Sequence, residues 1–390
     1  MTSPAPRTFA SIAVGALGLA AVLGSSPAFA QGKTIKIAAL MPISGPASYF
    51  GVQDKQGMEL ALEELNKAGV NGTKLEIRYE DSACSPLAAT QTVKRVLDEY
   101  KPQIVLGEEC SDASLAIMPV LEEAEMPLLN AGSATVKLTQ SGYKYVFRIF
   151  PNAQQQGDDM ARHAYNDLGA RTAVTLAEKT NAGIDSSDYF AAAFTKLGGK
   201  VLEKVDFGRD VNDFTAIATR IAGLGKIDVL PTAALEGQSV KLTQALAQAQ
   251  VTKGGGGQAI QMGSIWLPVG FDQKAGPSST GYIRIVQFDP NEQRPRVQQF
   301  VTAFKAKYGA DVIPSHINAH AYDQIQLVAE AVKRGATDPK SFRTQLAGMK
   351  GVECVTGTID FDATGQNSNL SVIHYVETTP TQTLVSRAWK

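Results

Sequence analysis

The sequence predicts an α/β protein built as two doubly wound parallel-sheet lobes. Three observations carry this. Short segments that are apolar throughout alternate with amphipathic helical segments, and a strand that is apolar on both faces belongs in a parallel sheet covered on both sides. The alternation restarts after Pro151, giving two such series with a change of register around 145–155. Of the 390 residues, the 360 that follow a 30-residue leader exceed the usual size of one domain.

The first series opens with the apolar run 35–41, stopped by Pro42 and the loop Ser44-Gly45-Pro46. Met58, Ala61, Leu62 and Leu65 then recur at helical spacing, and Gly69 stands where a helix stops. Leu75, Ile77 and Tyr79 alternate as in a strand. A helix is expected over 86–99, a short buried strand at Ile104-Val105-Leu106, a helix over 112–124 and a strand over 126–129. In the second series a helix near 154–167 precedes a strand over 172–176, a helix near 186–197 a strand over 201–207, and a helix over 214–224 a strand over 227–230. A helix over 239–249 leads to four glycines, 254–257, expected to form a flexible surface loop without a phosphate site. In doubly wound sheets ligands sit outside the carboxyl ends of the strands. The candidate loops are therefore 42–51, 107–112, 130–135, 177–185, 231–238 and 264–270.

The N-terminus reads as an export leader. Arg7 is the only charge in the first 30 residues, an apolar stretch runs from about 9 to 23, and Ala28-Phe29-Ala30 places small residues where a signal peptidase cuts, after Ala30. No Cys follows the cut to take a lipid, and no later segment is apolar for long enough to span a bilayer. The mature product is expected to be soluble and, in a Gram-negative cell, periplasmic. Losing Arg7 leaves 36 basic against 38 acidic residues, a net of −2. With no basic excess or stripe, nucleic acid is not an expected partner. In an oxidising compartment two of the three cysteines, Cys84, Cys110 and Cys354, can pair. The first two close a loop of about 27 residues, for which chain entropy gives roughly 3–4 kcal/mol. That leaves Cys354 as a buried small hydrophobe.

Signatures of catalysis are sparse. No Gly-rich fingerprint opens the first helix, Gly225-Lys226 lacks the following hydroxyl and the upstream Gly of a P-loop, and there is no Gly-x-Ser-x-Gly. His316 and His320 are four apart on an expected helix, but no Glu follows His316 and no third ligand is evident, so they read as ordinary helix-face histidines. No enzyme activity, metal or cofactor is expected. Two segments are more informative. Gly107-Glu108-Glu109-Cys110-Ser111-Asp112 joins a buried strand to a helix start. Ser111 or Asp112 suits an N-cap there, and free N–H groups with the helix dipole favour a carboxylate guest. The plainer reading is a capped helix without a ligand, with the charge of Asp112 competing for the place. In Asn130-Ala131-Gly132-Ser133-Ala134-Thr135 small residues and hydroxyls let a ligand approach the backbone, the plainer reading being an ordinary polar loop. Both segments follow strands in the same half and are expected to converge on one pocket.

Several strings recur in a familiar order: Ile35-Lys36-Ile37-Ala38 with Ser44-Gly45-Pro46; Gly57-Met58-Glu59-Leu60-Ala61; Asp81-Ser82-Ala83-Cys84 with Glu109-Cys110-Ser111; Ser133-Ala134-Thr135 before Leu138-Thr139; and Gly357-Thr358-Ile359-Asp360-Phe361-Asp362. Together they resemble the leucine/isoleucine/valine-binding protein family, the type I periplasmic binding proteins of branched-chain amino-acid ABC importers, over essentially the whole mature chain. The resemblance implies two lobes joined by a three-segment hinge, with 31–151 plus 289–370 as the N-terminal lobe and 152–288 plus 371–390 as the C-terminal lobe. It implies a monomer that closes on a small carboxylate and presents it to a membrane permease without turnover. Cys84 and Cys110 match the family disulfide. Ser111 matches the position whose hydroxyl and N–H hold the ligand carboxylate, Ser133 a carbonyl that receives the ligand ammonium, and Thr135 a hydroxyl touching both, with Ala134 between them.

The departures lie mostly in the second lobe. The loop after Thr135 is one residue shorter than the pattern, and aromatics expected near Ala182 and Ala234 are absent. The carboxylate for the ammonium falls near Ile265 or Trp266, neither of them acidic. An ammonium without a counter-charge in a closed cleft costs several kcal/mol. Either Glu236 or Asp185, expected in second-lobe loops, serves instead, or the ligand is an aromatic or aliphatic acid without an ammonium, walled by Phe50 and Trp266. A ligand sensor of the same fold is the remaining alternative.

Overall fold

In the computed structural model, which describes residues 1–6, 8, 33–263, 267, 270–369, 374–379 and 384–388, the first apolar run lies inside a parallel sheet. Arg7, the apolar stretch 9–23, Ala28-Phe29-Ala30, Ile265 and Trp266 lie outside the described residues. The first sheet holds β1 (Thr34–Met41), β2 (Lys74–Asp81), β3 (Ile104–Gly107), β4 (Leu128–Asn130) and β5 (Val146–Arg148), in the order β2-β1-β3-β4-β5 and parallel throughout. Between the strands run α1 (Ser48–Ala68), α2 (Pro86–Glu99), α3 (Ser111–Glu123) and the single turn α4 (Lys137–Gln140).

The chain then leaves for a second sheet. There α5 (Ala153–Arg162), β6 (Thr172–Glu178), α6 (Asn181–Lys196), β7 (Lys200–Phe207), α7 (Thr215–Ala222), β8 (Val229–Ala233), α8 (Glu236–Gln248), β9 (Ile260–Gly263), α9 (Phe271–Ala275) and β10 (Ile283–Val286) follow in turn. The chain returns to the first lobe for α10 (Pro295–Tyr308), α11 (His316–Lys333), α12 (Pro339–Ala347) and the hairpin β11 (Val352–Cys354) and β12 (Gly357–Ile359). It crosses a third time to β13 (His374–Thr378) and β14 (Leu384–Ala388), which extend the second sheet antiparallel, in the order β14-β13-β10-β9-β8-β6-β7. Two doubly wound lobes and three crossings are thus the architecture that the sequence predicts.

Alternation along β1 shows why both faces of the sheet are covered. Ile35, Ile37, Ala39 and Met41 enter one core with Met58 of α1, Phe300 of α10 and Val328 of α11. Ala38 and Leu40 enter the opposite core with Val93 of α2 and Ile117 of α3. The second sheet does likewise, with Val174 and Leu176 against Ile221 and Leu242 on one side and Ala173 and Val229 against Phe190 and Phe194 on the other. Cys354 is fully buried in the first core.

The glycines at 254–257 differ from expectation. They form a tight turn packed on neighbouring backbone, where a Cβ at Gly255 would run into the carbonyl of Ala247. Gly254, Gly255 and Gly257 are present for close approach to backbone, and Gly256 for its left-handed φ of +86°.

Candidate functional site

The first wall of the cleft is the strand-end surface of β3 and β4. Asn130 knits the two loops together, donating to the carbonyls of Gly107 (3.1 Å) and Glu108 (2.7 Å) and accepting from the N–H groups of Gly132 and Ser133. The Ser133 hydroxyl lies 2.5 Å from that of Ser114 and donates to the Glu108 carbonyl at 2.6 Å. Cys84 and Cys110 are joined in a disulfide that ties the loop after β2 to the start of α3. Beneath the wall, the buried guanidinium of Arg148 donates to the carbonyls of Ser133 (2.9 Å) and Thr135 (2.6 Å), to Gln366 Oε1 (2.7 Å) and to Thr139 Oγ1 (3.2 Å). Burial pulls its pKa down to about 9, so it stays charged at neutral pH.

The second wall comes from the ends of β6, β7 and β8. Glu178, the last residue of β6, accepts from Arg209 Nε at 2.5 Å and from the N–H of Leu235 at 3.3 Å. Thr180 caps α6 through the N–H of Gly183 (3.1 Å). Direct bonds join the walls. Asp112 accepts from the N–H (3.2 Å) and the side-chain amide (2.5 Å) of Asn181, and Arg209 reaches it at 3.6 Å. Asp185 accepts from the Thr135 hydroxyl at 2.6 Å and from the N–H of Val136 at 3.3 Å. Between the walls is a cavity with about 40 Å³ open to water, faced by Phe50, Glu109, Ser111, Ala134, Glu178 and Arg209 among others. Residues at the N-termini of α3 (Ser111, Asp112) and α6 (Thr180, Ala182) and the residue before α8 (Leu235) line it.

A sequence profile of the periplasmic binding protein family matches residues 34–377. The chain belongs to that family. The leucine-, isoleucine-, valine-, threonine-, and alanine-binding protein of Pseudomonas aeruginosa is 27% identical over 353 residues, covering 88% of this chain and 89% of its own. Two solved structures share the fold. One is a branched-chain amino acid transporter substrate binding protein from Streptococcus pneumoniae in complex with isoleucine (TM-score 0.82, 24% identity, 92% of this chain and 100% of that one). The other is an ABC transporter solute binding protein from R. palustris in complex with benzoate (TM-score 0.81, 21% identity, 91% and 96%).

In this periplasmic binding protein the candidate residues fall into three groups. Ser111, Ala134, Phe50 and Ala182 line the cavity. Cys110, not Ser111 or Asp112, is the N-cap residue of α3, and it makes no side-chain cap. Ser111 opens the helix, and its hydroxyl accepts from the N–H groups of Ala134 and Thr135, both at 3.2 Å. Its proton and the first N–H groups of α3 remain for an anion. Ser133 and Thr135 are fully buried behind the wall. The Ser133 carbonyl faces the Arg148 guanidinium rather than a ligand ammonium, and the Thr135 hydroxyl is taken by Asp185.

The third group is spoken for elsewhere. Asp185 lies just past the first turn of α6 and Glu236 in the first turn of α8, not in loops, because Thr180 starts α6 earlier than expected and α8 begins at Glu236 itself. Glu236 pairs with Lys274 at 2.7 Å. Ala234 packs in the second-lobe core, and Phe50 is on α1 against Ala182. His320 hydrogen-bonds the carbonyl of His316, and its burial pulls the imidazole down to about 4, so it is neutral packing. Among the described residues the one grouping of three metal-type donors is Cys84, Glu108 and Cys110, whose sulfurs are already joined.

Several cavity residues had not been singled out. Glu178 ends a strand inside a candidate loop. Arg209 comes from the loop after β7, the edge strand, and only its length brings it to the centre. Glu109 lies over Gly132, where a Cβ would meet its carboxylate. Glu108 is fully buried, and burial pushes its carboxyl up to about 7; burial and Glu108 push Glu109 up to about 8. Asp54, buried on α1, is held well above the usual carboxylate range by burial and then by Glu109 and Glu108. A charged residue in the buried stripe Phe50, Gly57, Met58 and Ala61 was the signal for it.

Proposed function

We propose that the chain is the exported solute-binding component of an ABC importer, which captures a small carboxylate-bearing molecule between its lobes and delivers it to a membrane permease without chemical turnover. The observation that carries this is the N-terminus of α3, without a side-chain cap, in the interlobe cavity, with the Ser111 hydroxyl beside it. A carboxylate there accepts hydrogen bonds from oriented N–H groups in a site largely removed from water. Family membership supports the binding role. The name of the Pseudomonas aeruginosa relative points to an amino acid of branched-chain type, and the benzoate complex of the R. palustris protein keeps an aromatic acid in view.

We take the lobes as 31–151 plus 289–370 and 152–288 plus 371–390, and the protein as a periplasmic monomer cut after Ala30. The cavity has room for only a few water molecules, so a solute enters when the walls part, and closure re-forms the Thr135–Asp185 and Asp112–Asn181 bonds around it. A thermal-shift screen of amino acids beside aromatic and aliphatic acids tests the reading. A solute at 100 times its Kd adds about 2.7 kcal/mol, and small-angle scattering should show the lobes closing on it. A Ser111→Ala variant that keeps full affinity would sink the carboxylate assignment.

A further inference from the structure

Resting on the reading of the cleft as the binding site, we infer that its solute carries a cationic nitrogen as well as a carboxylate, and that Glu109, backed by Asp54 and Glu108, receives it on the first wall. The sequence offered Glu236 and Asp185 for this role, but neither lines the cavity: Glu236 pairs through one oxygen with Lys274, and Asp185 accepts from Thr135 and Val136. Glu109 is different. It faces the cavity, laid over Gly132, and no described basic side chain reaches it. Among the described residues the one cation lining the cavity is Arg209, and it is held by Glu178 of its own wall and by Asp112 of the first.

Independently of Glu109, the ground behind it is short of positive charge. Glu108 is fully buried; one carboxyl oxygen accepts from the N–H of Cys110 at 2.8 Å, while Oε2 has no hydrogen-bond partner. Asp54 is 3% exposed, and the charges that act on it are those of Glu109 and Glu108. The Tyr49 phenol, next along α1, is likewise surrounded by the acids Glu236, Glu178 and Glu109. A buried carboxylate without a counter-charge is unstable and holds its proton instead. An ammonium or amidinium on Glu109 replaces that proton. The α3 N-terminus takes the other end of the solute, so the site as a whole reads a zwitterion.

Two measurements on the mature protein decide this. The first is calorimetry with matched pairs that differ in the amine: leucine and isocaproate, lysine and caproate, aminomethylbenzoate and toluate. The expected result is that aminated members bind and their partners do not, and that Glu109→Gln weakens the aminated binder roughly 100-fold. A cation-free acid that binds as tightly as its aminated partner overturns the inference and leaves the carboxylate cleft standing. If neither series binds, the cleft reading itself fails and the inference with it.

The second is stability of the unliganded protein against pH. The groups facing Glu109 are Glu108 beside it, Asp54 and Tyr49 on α1, Asp112 on α3, and Glu178 and Arg209 across the cleft. The carboxyls raised above their unfolded values bind protons more tightly when folded. Their contribution is therefore full below the ordinary carboxylate range and is lost as pH rises toward about 8. Glu109→Gln, which removes charge without removing volume, should flatten that decline; an unchanged slope in the variant would overturn the inference.

Discussion

The two walls of the cleft are built on opposite plans. The first is held from behind: the Arg148 guanidinium, the Asn130 amide, the Ser114–Ser133 pair and the Cys84–Cys110 disulfide fix its loops without help from the second lobe. The second has an internal tie in Arg209–Glu178, but Asn181 and Asp185 find their partners at the front, by reaching across to Asp112 and Thr135. A wall braced internally keeps its shape when the lobes part and can accept a solute alone. The polar groups of the second wall that bond across the gap, Asn181 and Asp185, are satisfied there only on closure. The comparison assigns recognition to the first lobe and the closing free energy to the second.

The largest expected effect comes from breaking the brace. Arg148→Met takes the charged donor from the carbonyls of Ser133 and Thr135 and from the Gln366 oxygen, leaving the buried Ser133 carbonyl without a partner and the other two with only the long bonds from the Leu138 N–H (3.3 Å) and the Thr139 hydroxyl (3.5 Å). Each such group costs about 1–3 kcal/mol, so a loss of roughly 3–5 kcal/mol is expected in urea unfolding. A loss below about 1 kcal/mol would show that the loops hold themselves, and the contrast between the walls would disappear.

This brace also marks where sequence reading stops. The βαβ alternation gave both lobes, since a strand such as Ile104–Gly107 is apolar on both faces and can only be interior. The rule that sites follow strand ends found Ser111 and Ala134, which touch the cavity. Strand order was not legible. Without it nothing says that β7 is an edge strand whose loop sends Arg209 inward, or that Gln366, remote in the chain, meets Arg148 beside β5. Ser133 and Thr135 sit on the right loop, but which way their peptides face was not legible; a buried arginine from a neighbouring strand takes both carbonyls. Glu109 was visible within a candidate segment, yet its lack of a partner is a property of packing.

The next effect in size tests the second wall. Thr135→Val removes the hydroxyl that donates to Asp185 while keeping the buried volume. A hydrogen bond to a charged group contributes about 1.5–3 kcal/mol, and here it exists only when the lobes meet. Affinity for the strongest binder of the screen is expected to fall about tenfold or more, with little change in the unfolding of the first lobe. Equal affinity in calorimetry would mean that this contact forms in the unliganded protein as well and carries none of the closing free energy.

The smallest expected change in stability is the most discriminating for recognition. The atoms nearest a Cβ at Gly132 belong to the carboxyl end of Glu109, a flexible group, and the backbone there lies outside the left-handed region, so alanine itself is not strained. Gly132→Ala should therefore cost the fold less than about 1 kcal/mol, as substitutions that ask only a side-chain end to move usually do. Its effect belongs to the ligand: Glu109 is pushed off the wall into the space a cationic nitrogen would occupy. If the first wall recognises, aminated solutes lose affinity while the melting temperature of the free protein stays within a few degrees of the parent. If the alanine leaves binding untouched, Glu109 is a bystander, and the solute's cation is held from the second wall.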